Sequence, residues 1–191
     1  MKCTPVDEKF VPAGSGQERS DDGRPHLTSI IRHIRDKAGF GYGDGPGWDR
    51  DTTMEVGFLW EDVLDAAFKD RMAIRPGEVE LDGVVGSPDG IGEDPEGVEH
   101  AVLEELKCTW RSSRRSPTED WSWMVQIKSY CKMIGTTVTI MRVLYLMGDY
   151  KGSGPQYKVF RIEFTQDELD QNWAMIVANA GAIHGDTVVE E

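Results

Sequence analysis

Apolar residues recur at helical spacing through Leu27, Ile30, Ile31 and Ile34, which predicts a helix beginning after Arg24 with Thr28 or Ser29 as its cap. A second stripe, built from Val56, Leu59, Trp60, Val63, Leu64, Ala67 and Phe68, predicts a helix over about 53–70. Between them, 39–51 holds five glycines and Pro46 and reads as a loop, either a plain connection or a mobile lip over a site. The period then changes from helical to alternating. Residues 78–85 and 100–108 read as strands, linked by a segment carrying Asp89 and a turn at 92–97. Pro117 and Thr118 open a helix through about Ile134, closed by Gly135. Residues 136–147 are β-branched and apolar, as in a long buried strand. Residues 157–164 alternate as its neighbour across a glycine-rich loop at 148–155. Thr165 followed by Glu168 has capping-box spacing and starts a final helix to about Ala180.

Helix, helix, strands, helix, strand, strand, helix, with two strand pairs linked as hairpins, predicts an α/β (α+β) fold: a mixed β-sheet flanked by helices rather than a doubly wound sheet. No GxGxxG or Walker loop stands where a nucleotide fold needs one. Residues 1–23 lack periodicity and read as a flexible arm, 24–180 as a single domain and 181–191 as an acidic tail. A chain of 191 residues suffices for one domain with a real core, and 39% hydrophobic residues favours a globular fold over disorder. No apolar run approaches the roughly 20 residues of a membrane span, and 1–5 lacks a signal core, so a soluble, cytoplasmic protein without membrane association is expected. Cys3, Cys108 and Cys131 are scattered without CxxC spacing. That argues against a disulfide framework and a zinc site, and leaves too few thiolates for an iron–sulfur cluster.

The candidate chemistry lies in the alternating stretch. On a strand, Glu105 and Lys107 share one face while Leu106 enters the core. Asp89 follows the turn formers Gly86, Ser87 and Pro88, and a hairpin would bring it beside Glu105. Two carboxylates and an ammonium at one spot form a minimal site for a divalent metal and an activated water. On the following helix Gln126 and Tyr130, four apart, share a face. The net charge of −13 argues against nucleic acid as a default partner, so any phosphate-binding surface must gather its cations locally. Two clusters qualify. Arg32 and Arg35 lie on the polar face of the first helix. Arg111, Arg114 and Arg115 follow the second strand, with Trp110, Trp121 and Trp123 near enough to stack on bases or to serve as core.

In order along 57–130, Gly57-Phe58-Leu59-Trp60-Glu61, Gly86-Ser87-Pro88-Asp89-Gly90, Glu105-Leu106-Lys107, and Gln126 with Tyr130 resemble the motifs of the PD-(D/E)XK nuclease superfamily, in its RecB-type and lambda-exonuclease-like branch. The resemblance implies a restriction-endonuclease-like sheet and Mg²⁺- or Mn²⁺-dependent hydrolysis of DNA phosphodiester bonds. It also implies catalytic roles for Asp89, Glu105, Lys107, Gln126 and Tyr130. Many RecB-type members carry a histidine four residues after the helix glycine; here that position is Glu61, as in lambda-exonuclease-like members, which makes Glu61 a metal ligand with Asp89 and Glu105. Glu104 and Asp82 rank behind them. The iron–sulfur branch is disfavoured by the cysteine count. The nearest analogy is a phage or bacterial recombination exonuclease acting on double-stranded DNA with free ends, in the host cytoplasm if phage-encoded. It suggests a homo-oligomer and a single-strand annealing partner. Two alternatives stay open: an endonuclease of the same fold, and a non-catalytic acidic module that binds a protein or mimics DNA.

Overall fold

The computed structural model describes residues 23–40, 50–68, 72–94, 96–97, 101–152 and 154–183. The expected arm at 1–22, most of the loop at 39–51 and the tail from 184 lie outside them. Helix α1 spans Leu27–Lys37 and buries Leu27, Ile30 and Ile31, with Arg35 and Lys37 in its last turn, where cations complement the helix dipole. Its N-cap is the extended His26, which makes no side-chain cap, rather than Thr28 or Ser29. The backbone explains the difference. His26 bridges to Val85, and the Val85 N–H donates to the Pro25 carbonyl at 3.1 Å, so strand pairing fixes the chain before the helix starts.

Helix α2 spans Arg50–Phe68 and is followed by a short strand β1 at Met72–Ile74, which the sequence pattern did not announce. The stretch 78–85, expected as one strand, is two: β2, Val79–Leu81, and β3, Val84–Gly86, paired antiparallel as a separate two-stranded sheet. The break is chemical. Asp82 and Gly83 adopt φ of 51° and 77°, the left-handed pair that a two-residue hairpin turn requires. Asp82 is then held by the Trp173 indole, whose Nε1 donates to Oδ2 at 2.8 Å. Asp82 is therefore a structural anchor.

The main sheet runs β1–β4–β5–β6–β7, with β4 at Gly90–Gly92, β5 at Val102–Thr109, β6 at Val138–Tyr145 and β7 at Gln156–Glu163. Pairing is antiparallel at β1/β4, β4/β5 and β6/β7, and parallel at β5/β6. The parallel step is crossed by helix α3, Trp121–Ile134. Pro117 does not open that helix. It starts a single 3₁₀ turn, Pro117–Glu119, after which Asp120 returns to extended backbone and caps α3 by accepting from the Trp123 N–H at 3.1 Å. Helix α4, Gln166–Ile183, extends three residues beyond the expected end. It opens with Thr165 and Glu168 in reciprocal bonds, Thr165 N–H to Glu168 Oε2 at 2.9 Å and Glu168 N–H to Thr165 Oγ1 at 3.2 Å.

Both faces of β5 are covered. Leu103 joins Leu27, Ile30, Ile127, Leu169 and Ile176 in the core formed with α1, α3 and α4, while Leu106 packs against Leu64 of α2. Each fully buried side chain of this size contributes about 1.5–3 kcal/mol. Burial on both sides thus fixes the strand that carries the candidate chemistry.

Candidate active site

Strand alternation decides which acid goes where. Glu104 and Glu105 are adjacent and both buried, 2% and 1% exposed, so they face opposite sides of the sheet. Glu104 pairs with the buried Arg142 of β6 and occupies space beside Gly92, where an added Cβ would meet its Oε1 at 2.5 Å. Its role is structural. Glu105 shares its face with Lys107, whose Nζ lies 2.5 Å from Oε1.

Asp89 reaches this spot because β4 runs antiparallel to β5 in the register Gly90↔Glu104, which sets residue 89 opposite Glu105. The Leu106 N–H donates to Asp89 Oδ2 at 2.7 Å, locking the carboxylate against the strand. Burial pushes the Asp89 carboxyl above its ordinary value of 3.8; Lys107, the Leu106 N–H and Arg75 act in the opposite sense and do not cancel it. Arg75 carries no motif that marks it in the sequence. It follows β1, an element that pattern did not reveal.

Helix α3 closes the site from above. Tyr130, 3% exposed, accepts a hydrogen bond at its hydroxyl from Gln126 Nε2 at 3.2 Å. Burial, followed by the negative charges of Glu105 and Asp89, raises the Tyr130 phenol well above its ordinary value, so it stays protonated at any physiological pH. Gly86 makes this closeness possible, because a Cβ there would stand 2.8 Å from the Tyr130 ring and 3.1 Å from Met133 Sδ. On the same helix Cys131 is fully buried, with Sγ 3.0 Å from Thr139 Oγ1 and its thiol pushed up to about 12 by burial.

Asp89, Glu105, Lys107, Gln126 and Tyr130 are thus brought together. The side chain of Glu61 lies outside the described residues; its helix packs on the opposite face of β5 through Leu64. The arginines disperse. Arg111 is ion-paired with Asp120 and lies 5.8 Å from the Trp123 ring centroid, Arg114 reaches Asp149 at 3.3 Å, and Arg115 is exposed. Arg35 donates to Ser122 Oγ at 3.2 Å, and Arg32 is exposed one turn away. Trp123 packs beside Met141, Val143 and Tyr145, whereas Trp110 and Trp121 are 40% and 44% exposed.

Among the described residues no cluster of three or more His, Cys, Asp and Glu side chains forms. The Asp89–Glu105 pair nevertheless suits a hard divalent cation. Both donors are carboxylate oxygens, and the Asp89 charge is desolvated in a way that a cation would offset.

A mixed sheet with a parallel β5–α3–β6 crossover, a short antiparallel β4 delivering Asp89, and Glu105-x-Lys107 at its centre is a PD-(D/E)XK nuclease-like fold. Solved structures agree. The alkaline exonuclease LHK-Exo from Laribacter hongkongensis superposes with a TM-score of 0.52 over 85% of this chain and 90% of its own, at 16% identity. The same enzyme in complex with dAMP gives 0.53 over 85% and 89%, at 14% identity. Neither a protein-family model nor a curated protein matches the sequence. No helix among the described residues is long and apolar enough to cross a membrane.

Proposed function

We propose that the chain is a metal-dependent deoxyribonuclease, acting as an exonuclease from the ends of double-stranded DNA. The observation that carries this reading is the convergence of Asp89, Glu105 and Lys107, from two antiparallel strands, under the Gln126–Tyr130 pair of α3. The exonuclease form rests additionally on the likeness to LHK-Exo.

Asp89 and Glu105 would hold Mg²⁺ or Mn²⁺, with Glu61 the candidate for a third ligand. When bound, such an ion lowers the pKa of a water and offsets charge on the scissile phosphate. Lys107 sets its ammonium at Glu105, where it orients the attacking water and donates to a phosphate oxygen as charge builds. Tyr130 remains a neutral phenol. Its oxygen already accepts from Gln126, so its own proton is directed to another acceptor, and a phosphate oxygen or a metal-bound water fits that role. Arg111, Arg114, Arg115, Arg32 and Arg35 are the candidates for backbone phosphate contacts away from the reacting bond.

The test is degradation of end-labelled linear duplex and closed circular DNA with Mg²⁺, Mn²⁺ or EDTA, for the parent and Glu105→Gln. Metal-dependent loss of linear DNA alone, abolished by the substitution, is expected. Cutting of the circle would make the protein an endonuclease. Equal cleavage by the variant would remove Glu105 from the chemistry.

A further inference from the structure

The main sheet ends on two strands of opposite character. Strand β1 is three residues long and shifts register within that length, which blunts it as a template for further pairing. Strand β7 is eight residues long, contains no proline, and pairs with β6 without a break from Val138↔Glu163 to Tyr145↔Gln156. Among the described residues no strand lies on its other side. It carries Tyr157 and Val159, 42% and 51% exposed. The cations that could guard such an edge are drawn inward. Lys158 Nζ donates to the Ser113 carbonyl at 2.6 Å, and Arg161 Nη2 donates to Asp94 Oδ2 at 3.1 Å.

The ladder fixes which backbone groups face outward. The Phe164 N–H donates to the Thr137 carbonyl at 2.9 Å, one step beyond the Val138↔Glu163 pair. In an antiparallel strand the N–H and C=O of one residue point to the same side, and that side alternates along the chain. The even-numbered residues of β7 therefore bond β6, while Tyr157, Val159 and Arg161 direct their backbone groups away from it. A second β7, antiparallel across a two-fold axis, meets them in kind. Opposed residues must share a face, so the axis passes through one residue, and side-chain chemistry selects which. An axis at Lys158 or Arg161 sets like charges against each other. At Phe160 it sets Val159 against Arg161 and Tyr157 against Glu163. At Val159 it sets valine against valine, Tyr157 against Arg161 and Lys158 against Phe160, so apolar meets apolar and a cation lies beside a ring on both faces.

We propose that β7 is a docking edge for a second copy of this chain, the two strands pairing antiparallel about a two-fold axis at Val159 and joining the two sheets into one. A ladder of this length buries less than the about 1,200 Å² of a standard interface, so the dimer dissociates on dilution through the micromolar range.

The experiment uses the full chain without DNA. Sedimentation velocity across the micromolar range should show a reversible dimer for the parent. Val159→Lys, which sets two ammonium groups against each other at the axis, should be a monomer throughout while melting with the parent. Oxidation should then read the register. Val159→Cys should form a covalent dimer, because residues opposed across a ladder have Cα atoms about 5.5 Å apart, within disulfide reach. Tyr157→Cys should not, because its two copies stand about 13 Å apart along the ladder. The parent, treated alike, controls for the native cysteines. A parent that is a monomer at every concentration or forms a trimer, a Val159→Lys protein that associates like the parent, or a Tyr157→Cys protein that cross-links as readily as Val159→Cys overturns the docking edge. None of these readings involves cleavage, so the proposal stands or falls apart from the nuclease assay.

Discussion

Gly86→Ala is a sensitive probe of how the fold holds the site. Gly86 closes β3 with an ordinary extended backbone, so alanine meets no conformational penalty and the effect is purely one of space. The new Cβ would lie 2.8 Å from Tyr130 Cε1, whereas ordinary contact begins near 3.4 Å, so the ring must retreat by about 0.6 Å. Met133, with Sδ at 3.1 Å, can rotate away. Tyr130 cannot move without cost, because it is buried and its hydroxyl is bonded to Gln126. Overpacking of this kind costs about 1–3 kcal/mol. For a chain of this size the melting temperature should fall by about 2–12 °C, and displacement of the phenol should lower turnover by on the order of tenfold to a hundredfold. Thermal denaturation and the linear-DNA assay read the two effects. Tyr130→Phe retains Cε1, so Gly86→Ala should cost as much in that background as alone, whereas Tyr130→Ala removes the obstacle and should abolish the cost. A Gly86→Ala protein that melts within about a degree of the parent, or that costs the same beside Tyr130→Ala, would refute the argument.

Glu104→Ala leaves Arg142 charged in the interior and should destabilise the chain by about 3–5 kcal/mol in denaturant titration, with less loss for the double replacement by apolar residues; a smaller effect for the single change than for the double would contradict the pairing. Asp89→Asn should abolish cleavage yet stabilise the metal-free protein at neutral pH. Burial raises the Asp89 carboxyl, so the folded chain binds that proton more tightly than the unfolded chain, and stability falls as pH rises from about 3.8 through the folded value. The variant should therefore gain over the parent above that window and not below it. Denaturation of the EDTA-treated proteins across pH checks this, and a parent more stable than the variant at pH 7 would contradict it.

The helices were legible because their periods are clean; α1 follows directly from Leu27, Ile30 and Ile31. Alternation likewise gave Glu105 and Lys107 their common face. The misreading of 78–85 has a specific cause. Val79, Leu81 and Val84 look like one amphipathic run unless Asp82-Gly83 is given its weight as a hairpin turn. Strand β4 was hidden for the opposite reason, since Gly90-Ile91-Gly92 offers one side chain to a pattern search. Gly92 is a glycine because Glu104 fills the space beside it, a fact that resides in the partner strand. Pairings such as Glu104 with Arg142, and Asp82 with Trp173, depend on register and on helix docking, which no local window contains.

Cys131 gives the molecule an internal clock. Its thiol is enclosed between α3 and β6, bonded to Thr139 and held protonated up to about 12, so no alkylating reagent can react with it while the helix stays docked. Tyr130 precedes it on the same turn. Each opening that admits a reagent to Cys131 must also lift Tyr130 from Glu105, so the rate of thiol modification counts how often the candidate site comes apart. The half-buried Cys108 has no such enclosure and provides a second, faster mark on the same chain. Any ligand that holds α3 against the sheet will slow the first mark and leave the second untouched, whether or not it is ever hydrolysed.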